Sequence, residues 1–349
     1  MTPPGAPRIV FLADAGADVG GGHVMRCLTL ARALGERGAE CAFVESRAAA
    51  PILRRFGWPG QTMLAMTDAE DLAGLVAYAR DFAERLAADV IVIDHYGAGA
   101  AEDVALSAMD RLVVAIDDLA NRPRQASLLV DPGYGRRPEA YRDLAPVDAL
   151  ILTGPAYALV RPEFAAARSR ALSRRAQHGP VRRALVSLGL TDVGGFTGRV
   201  VGALADALGD IRLEVVVGGD APSLPALSDA AARDRRLRLW VNTAEMASLM
   251  ADADIAIGAG GSSVWERATV GLPAATVVLA ENQRPMIEQM GAAGLTLALE
   301  AGAPDFDDRL RTAWSALVSD PGLRWRLTQR SAELCDGHGA ARVAEAILR

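Results

Sequence analysis

The chain has 349 residues, 51% of them hydrophobic and 23% charged, with a formal net charge of −6. That length suggests two domains, and the apolar content can fill sizeable cores, which excludes wholesale disorder. No domain is basic, which argues against nucleic acid as a partner, and no run of about 18 apolar residues points to a membrane span.

Residues 1–7 lack a charged segment followed by an apolar core, so no signal peptide is expected. The three cysteines, Cys27, Cys41 and Cys335, form no CxxC pair, so neither a disulfide framework nor a zinc knuckle is expected. A cytoplasmic location fits both readings.

Apolar, β-branched runs alternate with helix-period runs. In chain order the first half reads as a strand at 8–14, a glycine turn, a helix at 23–37 and a strand at 40–45. A helix at 69–87, a strand at 90–94 and a helix at 101–109 follow, then strands at 112–117, 128–130 and 150–153. After a basic stretch at 168–183 the pattern restarts. Strands are expected at 183–188, 212–217, 237–241, 254–258, 275–279 and 295–299, and helices at 196–208, 244–251, 264–270 and 283–293. Residues 307–349 read as helices with no strand. Such alternation implies α/β architecture, two doubly wound, Rossmann-like domains with a ligand cleft between them. The expected division is 1–155, a linker at 156–182, a second domain at 183–325, and helices at 326–349 that pack back on the first domain. The basic stretch reads as solvated linker or helix face.

Two glycine turns carry the chemistry. Gly20-Gly21-Gly22-His23 lies between a strand and a helix, where freed backbone N–H groups admit an anion and the helix dipole favours a neutral imidazole. A tight turn whose histidine merely caps the helix is the alternative. Gly258-Ala259-Gly260-Gly261-Ser262-Ser263 also follows an apolar strand and opens a helix, a good diphosphate cradle. No GK[ST] follows, so it is not a Walker A loop. Glu266, in the first helical turn, is placed to accept both hydroxyls of a ribose or, more simply, to cap the helix. Asn282 and Gln283 end the next strand and offer uncharged donors and acceptors suited to sugar hydroxyl or acetamido groups.

Asp94-His95-Tyr96 closes one strand of the first half and Asp117-Asp118 the next. Adjacent Asp117 and Asp118 cannot both face one substrate if extended, and His95 reads more simply as structural. Asp252-x-Asp254 lies where a helix gives way to a strand and reads as structural, and no residue cluster has metal-ligand spacing. His178 and His338 lack the setting of His23, and no G-x-S-x-G elbow or Cys–His pair supports covalent hydrolysis.

Taken in order, these motifs resemble those of the UDP-2,4-diacetamido-2,4,6-trideoxy-β-L-altropyranose hydrolases of pseudaminic acid biosynthesis. The matching residues are Asp14…Gly20-Gly-Gly-His23-Val-Met-Arg26, Asp94-His-Tyr96, Ile116-Asp-Asp-Leu-Ala-Asn-Arg122, Gly154-Pro-Ala-Tyr157-Ala-Leu-Val-Arg161-Pro-Glu-Phe164, Gly260-Gly-Ser262 and Glu281-Asn-Gln283. The chain departs from that pattern at Leu12, at Gly16 and at 189–192. The resemblance implies a GT-B-like fold, similar to that of the lipid II-forming N-acetylglucosamine transferases. It also implies metal- and cofactor-independent displacement of UDP by water with inversion. His23 then matches the catalytic base, with Asp14 orienting it. Gly21, Gly22, Arg26, Asp94, Tyr96, Gly260, Gly261, Ser262, Ser263, Glu266, Asn282 and Gln283 fall to substrate binding. A monomer is the simplest expectation. The rival readings are a GT-B glycosyltransferase that uses a UDP-amino sugar donor and a catalytically silent nucleotide-sugar binder.

Overall fold

The computed structural model describes residues 5–16, 19–57, 62–108 and 111–349. The expectations for residues 1–4 and for the end of the 101–109 helix lie outside them. The chain divides into two compact units, one formed by the residues up to Leu159 with His338–Arg349, the other by Val160–Gly337.

In the first unit, strands β1 (Arg8–Ala13), β2 (Glu40–Glu45), β3 (Thr62–Met66), β4 (Val90–Asp94), β5 (Leu112–Ile116), β6 (Leu128–Asp131) and β7 (Leu150–Thr153) are interleaved with helices. These are α1 (Gly22–Gly35), α2 (Ala50–Phe56), α3 (Leu72–Leu86) and α4 (Ala100–Leu106). The described strands pair in parallel in the order β3-β2-β1-β4-β5-β6-β7. β4 reads Val-Ile-Val-Ile-Asp and is buried throughout, because helices cover both faces of the sheet. Ile9, Phe11, Val90 and Val92 share a core with α1, whereas Val10, Leu12, Ile91 and Ile93 share one with α3. Asp94 has the parity of Val90 and Val92, which directs its side chain to the α1 face. Ala13 pairs with Asp94, and strand order reverses between β1 and β4, the switch point at which open α/β sheets place their ligands.

The second unit begins with α5 (Pro162–Arg175). β8 (Arg183–Ser187), α6 (Phe196–Leu204), β9 (Arg212–Val217), α7 (Leu224–Arg233), β10 (Leu237–Val241), α8 (Met246–Asp252), β11 (Ile255–Ala259) and α9 (Ser263–Thr269) follow. β12 (Ala274–Val278), α10 (Arg284–Ala292), β13 (Leu297–Glu300), α11 (Phe306–Ser319) and α12 (Pro321–Leu334) complete it. Its described strands are again all parallel, in the order β10-β9-β8-β11-β12-β13, with the reversal between β8 and β11.

The stretch read as a linker at 156–182 is corrected by α5, which Pro162 starts at its first turn. Arg170 is exposed, as a helix face would have it, but the other three arginines of α5 are part-buried. Arg168 donates to Thr269 O, Ala332 O and Cys335 O, Arg174 to Asp252 O and Ala253 O, and Arg175 to Met250 O, Val270 O and Ala253 O. These carbonyls lie at the carboxyl ends of α8, α9 and α12, where helices leave oxygens without intrahelical donors. Asp254 takes the backbone N–H groups of Arg182 and Arg183 and pairs with Arg174, so the Asp-x-Asp run is structural.

The helices expected at 326–349 do not act as one block. α12 belongs to the second unit, and α13 (Gly339–Ile347) to the first, where Val343, Ala344 and Ile347 join the core under α1. Gly339 allows that return: a Cβ there would lie 2.2 Å from Ala158 O. Among the described residues, no helix is long and apolar enough to cross a membrane.

Candidate functional site

The glycine turn after β1 closes with Gly20 N–H donating to Gly16 O at 2.8 Å, and Gly20 has φ 77°, a left-handed conformation that favours glycine. α1 then starts at Gly22, so His23 and Arg26, three residues apart, lie on one face. Both reach Asp94. His23 Nδ1 lies 2.6 Å from Asp94 Oδ1, while Arg26 grips the carboxylate with Nε at 2.5 Å from Oδ2 and Nη2 at 2.6 Å from Oδ1. Arg26 Nη1 donates to Asp118 Oδ2 at 2.8 Å. Asp94 is fully buried, and His23 and Arg26 are 4% and 8% exposed.

The electrostatics follow from this packing. Burial alone would push Asp94 up; Arg26 and His23 outweigh it and hold the carboxyl well below the usual carboxylate range. Burial likewise opposes charge on Arg26, but Asp94 and Asp118 keep the guanidinium more firmly protonated than usual. An ionised Asp94 only accepts, so His23 Nδ1 must carry the proton of that contact. Nε2 is then the nitrogen left to take or give up a proton, and it has no hydrogen-bond partner among the described residues. Tyr96 packs its ring edge-on against His23 at 4.4 Å between centroids.

Several sequence expectations change place here. Asp14, expected to orient His23, instead accepts from Tyr96 N–H at 3.4 Å and lies 3.6 Å from His95 Nε2. Asp94 and Arg26, expected to bind substrate, are spent on each other and on His23, with almost no surface left for a ligand. Gly21 is the N-cap of α1, where its carbonyl accepts from Met25 N–H.

Sequence reasoning missed the charges that extend this cluster. Arg136 pairs with Asp131 Oδ2 at 2.5 Å and donates to the carbonyls of Asp118 and Leu119. Tyr141 OH donates to Asp131 Oδ2 at 2.9 Å and to Asp117 O at 3.2 Å. Burial pushes the Asp131 carboxyl up to about 6 in spite of Arg136, the Gly133 N–H and Tyr141. A carboxyl raised on folding stabilises the fold fully below its unfolded pKa and loses that contribution as pH rises through the folded value. Relative to Asp131→Asn, the native protein is therefore expected to lose stability, by about 3 kcal/mol, as pH rises from about 4 to 6. Urea denaturation across that range reads the difference; parallel curves for the two proteins would contradict it.

In the second unit the turn after β11 brings its residues together. Gly260 N–H donates to Val277 O at 3.0 Å, and a Cβ at Gly260 would lie 2.9 Å from Ile287 Cγ1 and 3.0 Å from Gln283 Oε1. Gly260 thus permits close packing of the α10 start, and Gln283 Oε1 accepts from Leu279 N–H. Asn282 is exposed beside it. Ser262 occupies the N-cap position of α9 without a side-chain capping bond, and Ser263 Oγ accepts from Arg267 Nη1 at 3.1 Å. Arg267, also missed, is buried against Gly258, and burial brings it down to about 10. Glu266 Oε1 accepts from Arg161 Nε at 3.0 Å and Nη2 at 2.8 Å, leaving Oε2 without a partner among the described residues. Arg161 was legible only as part of the Gly154–Phe164 motif and by its place before Pro162, which marks a helix start; neither gave it Glu266 as a partner.

Two doubly wound parallel α/β domains define the class, and the fold is GT-B-like. Acinetobacter baumannii MurG matches with a TM-score of 0.65 at 16% identity, covering 98% of this chain and 99% of that one. S. aureus MnaA, solved with UDP, matches at 0.65 and 12%, covering 98% and 96%. Among curated proteins, the spore coat polysaccharide biosynthesis protein SpsG of Bacillus subtilis is 31% identical over 202 residues, 57% of this chain and 58% of SpsG. The UDP-2,4-diacetamido-2,4,6-trideoxy-β-L-altropyranose hydrolase of Campylobacter jejuni is 19% identical over 259 residues, 74% of this chain and 87% of the hydrolase. The chain thus spans little more than half the length of SpsG. No family model matches.

Proposed function

We propose that this chain hydrolyses a UDP-activated diacetamido-trideoxyhexose of the altropyranose type, releasing UDP and the free sugar, as a step towards a pseudaminic acid-type nonulosonate. The observation that carries the reading is the His23–Asp94 contact, which puts a proton on Nδ1 and leaves Nε2 as the nitrogen that can take a proton from water. A general base needs that state. In the proposed step, water gives a proton to His23 Nε2 as its oxygen bonds to the anomeric carbon. The bond from that carbon to the β-phosphate oxygen breaks, and UDP leaves with the electron pair. Attack opposite the leaving group inverts the anomeric centre.

The second unit supplies the nucleotide end. Backbone N–H groups at Gly261, Ser262 and Ser263 and the two serine hydroxyls would steady the diphosphate charge that grows as the bond breaks, with Gly260, whose N–H is held by Val277 O, shaping the turn. The Oε2 atom of Glu266, with Oε1 held by Arg161, is the acceptor left for a ribose hydroxyl. Asn282 and Gln283 border the same turn, and Tyr96 flanks the base. The activity named for the Campylobacter relative supports this substrate class, and MnaA, of the same fold, was solved with UDP.

Turnover in ¹⁸O-labelled water tests the proposal. Label in the sugar is expected, because water attacks carbon; label in UDP would mean attack at phosphorus and would overturn it. UDP release that starts only when an acceptor alcohol is added would instead establish the glycosyltransferase reading, in which the same base deprotonates the acceptor.

A further inference from the structure

His95 follows Asp94 at the end of β4, and its setting is the converse of that of His23. Its Nδ1 accepts from Gly97 N–H at 3.0 Å, so a neutral ring carries its proton on Nε2. Burial favours the neutral ring and lowers the pKa of His95, and Asp14 restores part of the loss. The backbone is fixed as well, since Arg122 Nη2 donates to His95 O and a Cβ at Gly97 would press on the ring at 3.3 Å. Nε2–H faces Asp14 Oδ1 at 3.6 Å, too long for a hydrogen bond, and has no other partner among the described residues. Asp14 Oδ2 meanwhile takes the Tyr96 N–H. The side chains of His95 and Asp14 keep 17% and 12% exposure, whereas Asp94 keeps none.

A donor and an anionic acceptor at that separation select one chemistry. A single oxygen about 2.8 Å from each can accept from Nε2–H and donate to the carboxylate, which a hydroxyl does, displacing a water that does the same, and an ionised phosphate or carbonyl cannot. We propose that His95 and Asp14 form a hydroxyl-binding pair that holds a sugar O–H of the substrate beside the His23 base. The pair positions the sugar; it is not the base. This inference rests on the nucleotide-sugar reading for its substrate, but not for the state of the ring.

The test has two arms. Long-range ¹H–¹⁵N NMR at neutral pH reads ring tautomers without substrate, and the four histidines are assigned by single substitution. His95 is expected as the Nε2–H form and His23 as the Nδ1–H form; His95 as Nδ1–H or as a charged ring would overturn the proposal. In the second arm, His95→Asn keeps an acceptor for Gly97 N–H but loses the outer donor, whereas His95→Gln extends a donor to the Nε2 position. The KM of the UDP-sugar is expected to rise about tenfold or more in His95→Asn and to return to within about threefold of the native value in His95→Gln, with UDP inhibition constants unchanged in both. A native KM in His95→Asn, or equal defects in the two variants, would overturn it. Failure of the hydrolase reading shows separately, as a native protein that turns over no UDP-sugar, and the tautomer arm still decides the donor.

Discussion

Replacing His23 with alanine is expected to lower UDP-sugar turnover about 10²–10⁴-fold while leaving UDP affinity within about twofold. The split follows from the division of labour. His23 lies in the first unit, with Nε2 free to take a proton, whereas the Gly260–Ser263 turn and Glu266 belong to the second unit. On the proposed reading the nucleotide contacts lie in that turn, so loss of the ring should leave them untouched and calorimetric titration with UDP should match the native protein as turnover collapses. Turnover within a few-fold of native would remove His23 from the role of base.

The second large effect is expected at Asp94. Asp94→Asn leaves Arg26 buried with Asp118 as its one remaining carboxylate partner, and stripping one member from a buried ion pair costs about 3–5 kcal/mol. It also frees His23 to move its proton to Nε2, the wrong tautomer for a base, so turnover should fall about 10²–10⁴-fold even where the protein remains folded. Urea denaturation reads the first effect, and kinetics below the unfolding transition read the second. The ring itself gives the cleaner readout: in Asp94→Asn the His23 Nδ1–H signature should disappear, whereas in Asp14→Asn it should persist. The opposite pattern would restore Asp14 as the partner of His23.

That exchange of partners shows where sequence reading stops. Asp14 and Asp94 both end apolar strands, and both suit a histidine at the adjoining turn. The choice is made by strand parity, which sends Asp94 to the α1 face with Val90 and Val92, and by a contact across 71 residues that no local pattern encodes. The buried parallel strands were legible because helices cover both faces and force continuous apolar runs. β3 was not, since an edge strand needs no such run; its Met63 and Met66 are 54% and 68% exposed. The basic stretch was read as solvated linker or helix face because arginines suggest solvent; it is a helix, and three of its arginines close the carboxyl ends of neighbouring helices. His95 was set aside because its residue type alone says nothing of which ring nitrogen carries the proton, and that is decided by the Gly97 N–H.

The most direct test is an NMR time course of the purified protein with UDP-2,4-diacetamido-2,4,6-trideoxy-β-L-altrose in the presence of EDTA. The account predicts release of UDP and free sugar at an undiminished rate, with the inverted anomer appearing before mutarotation mixes the two. Retention of configuration, dependence on added metal, or an intact substrate despite tight UDP binding would contradict it.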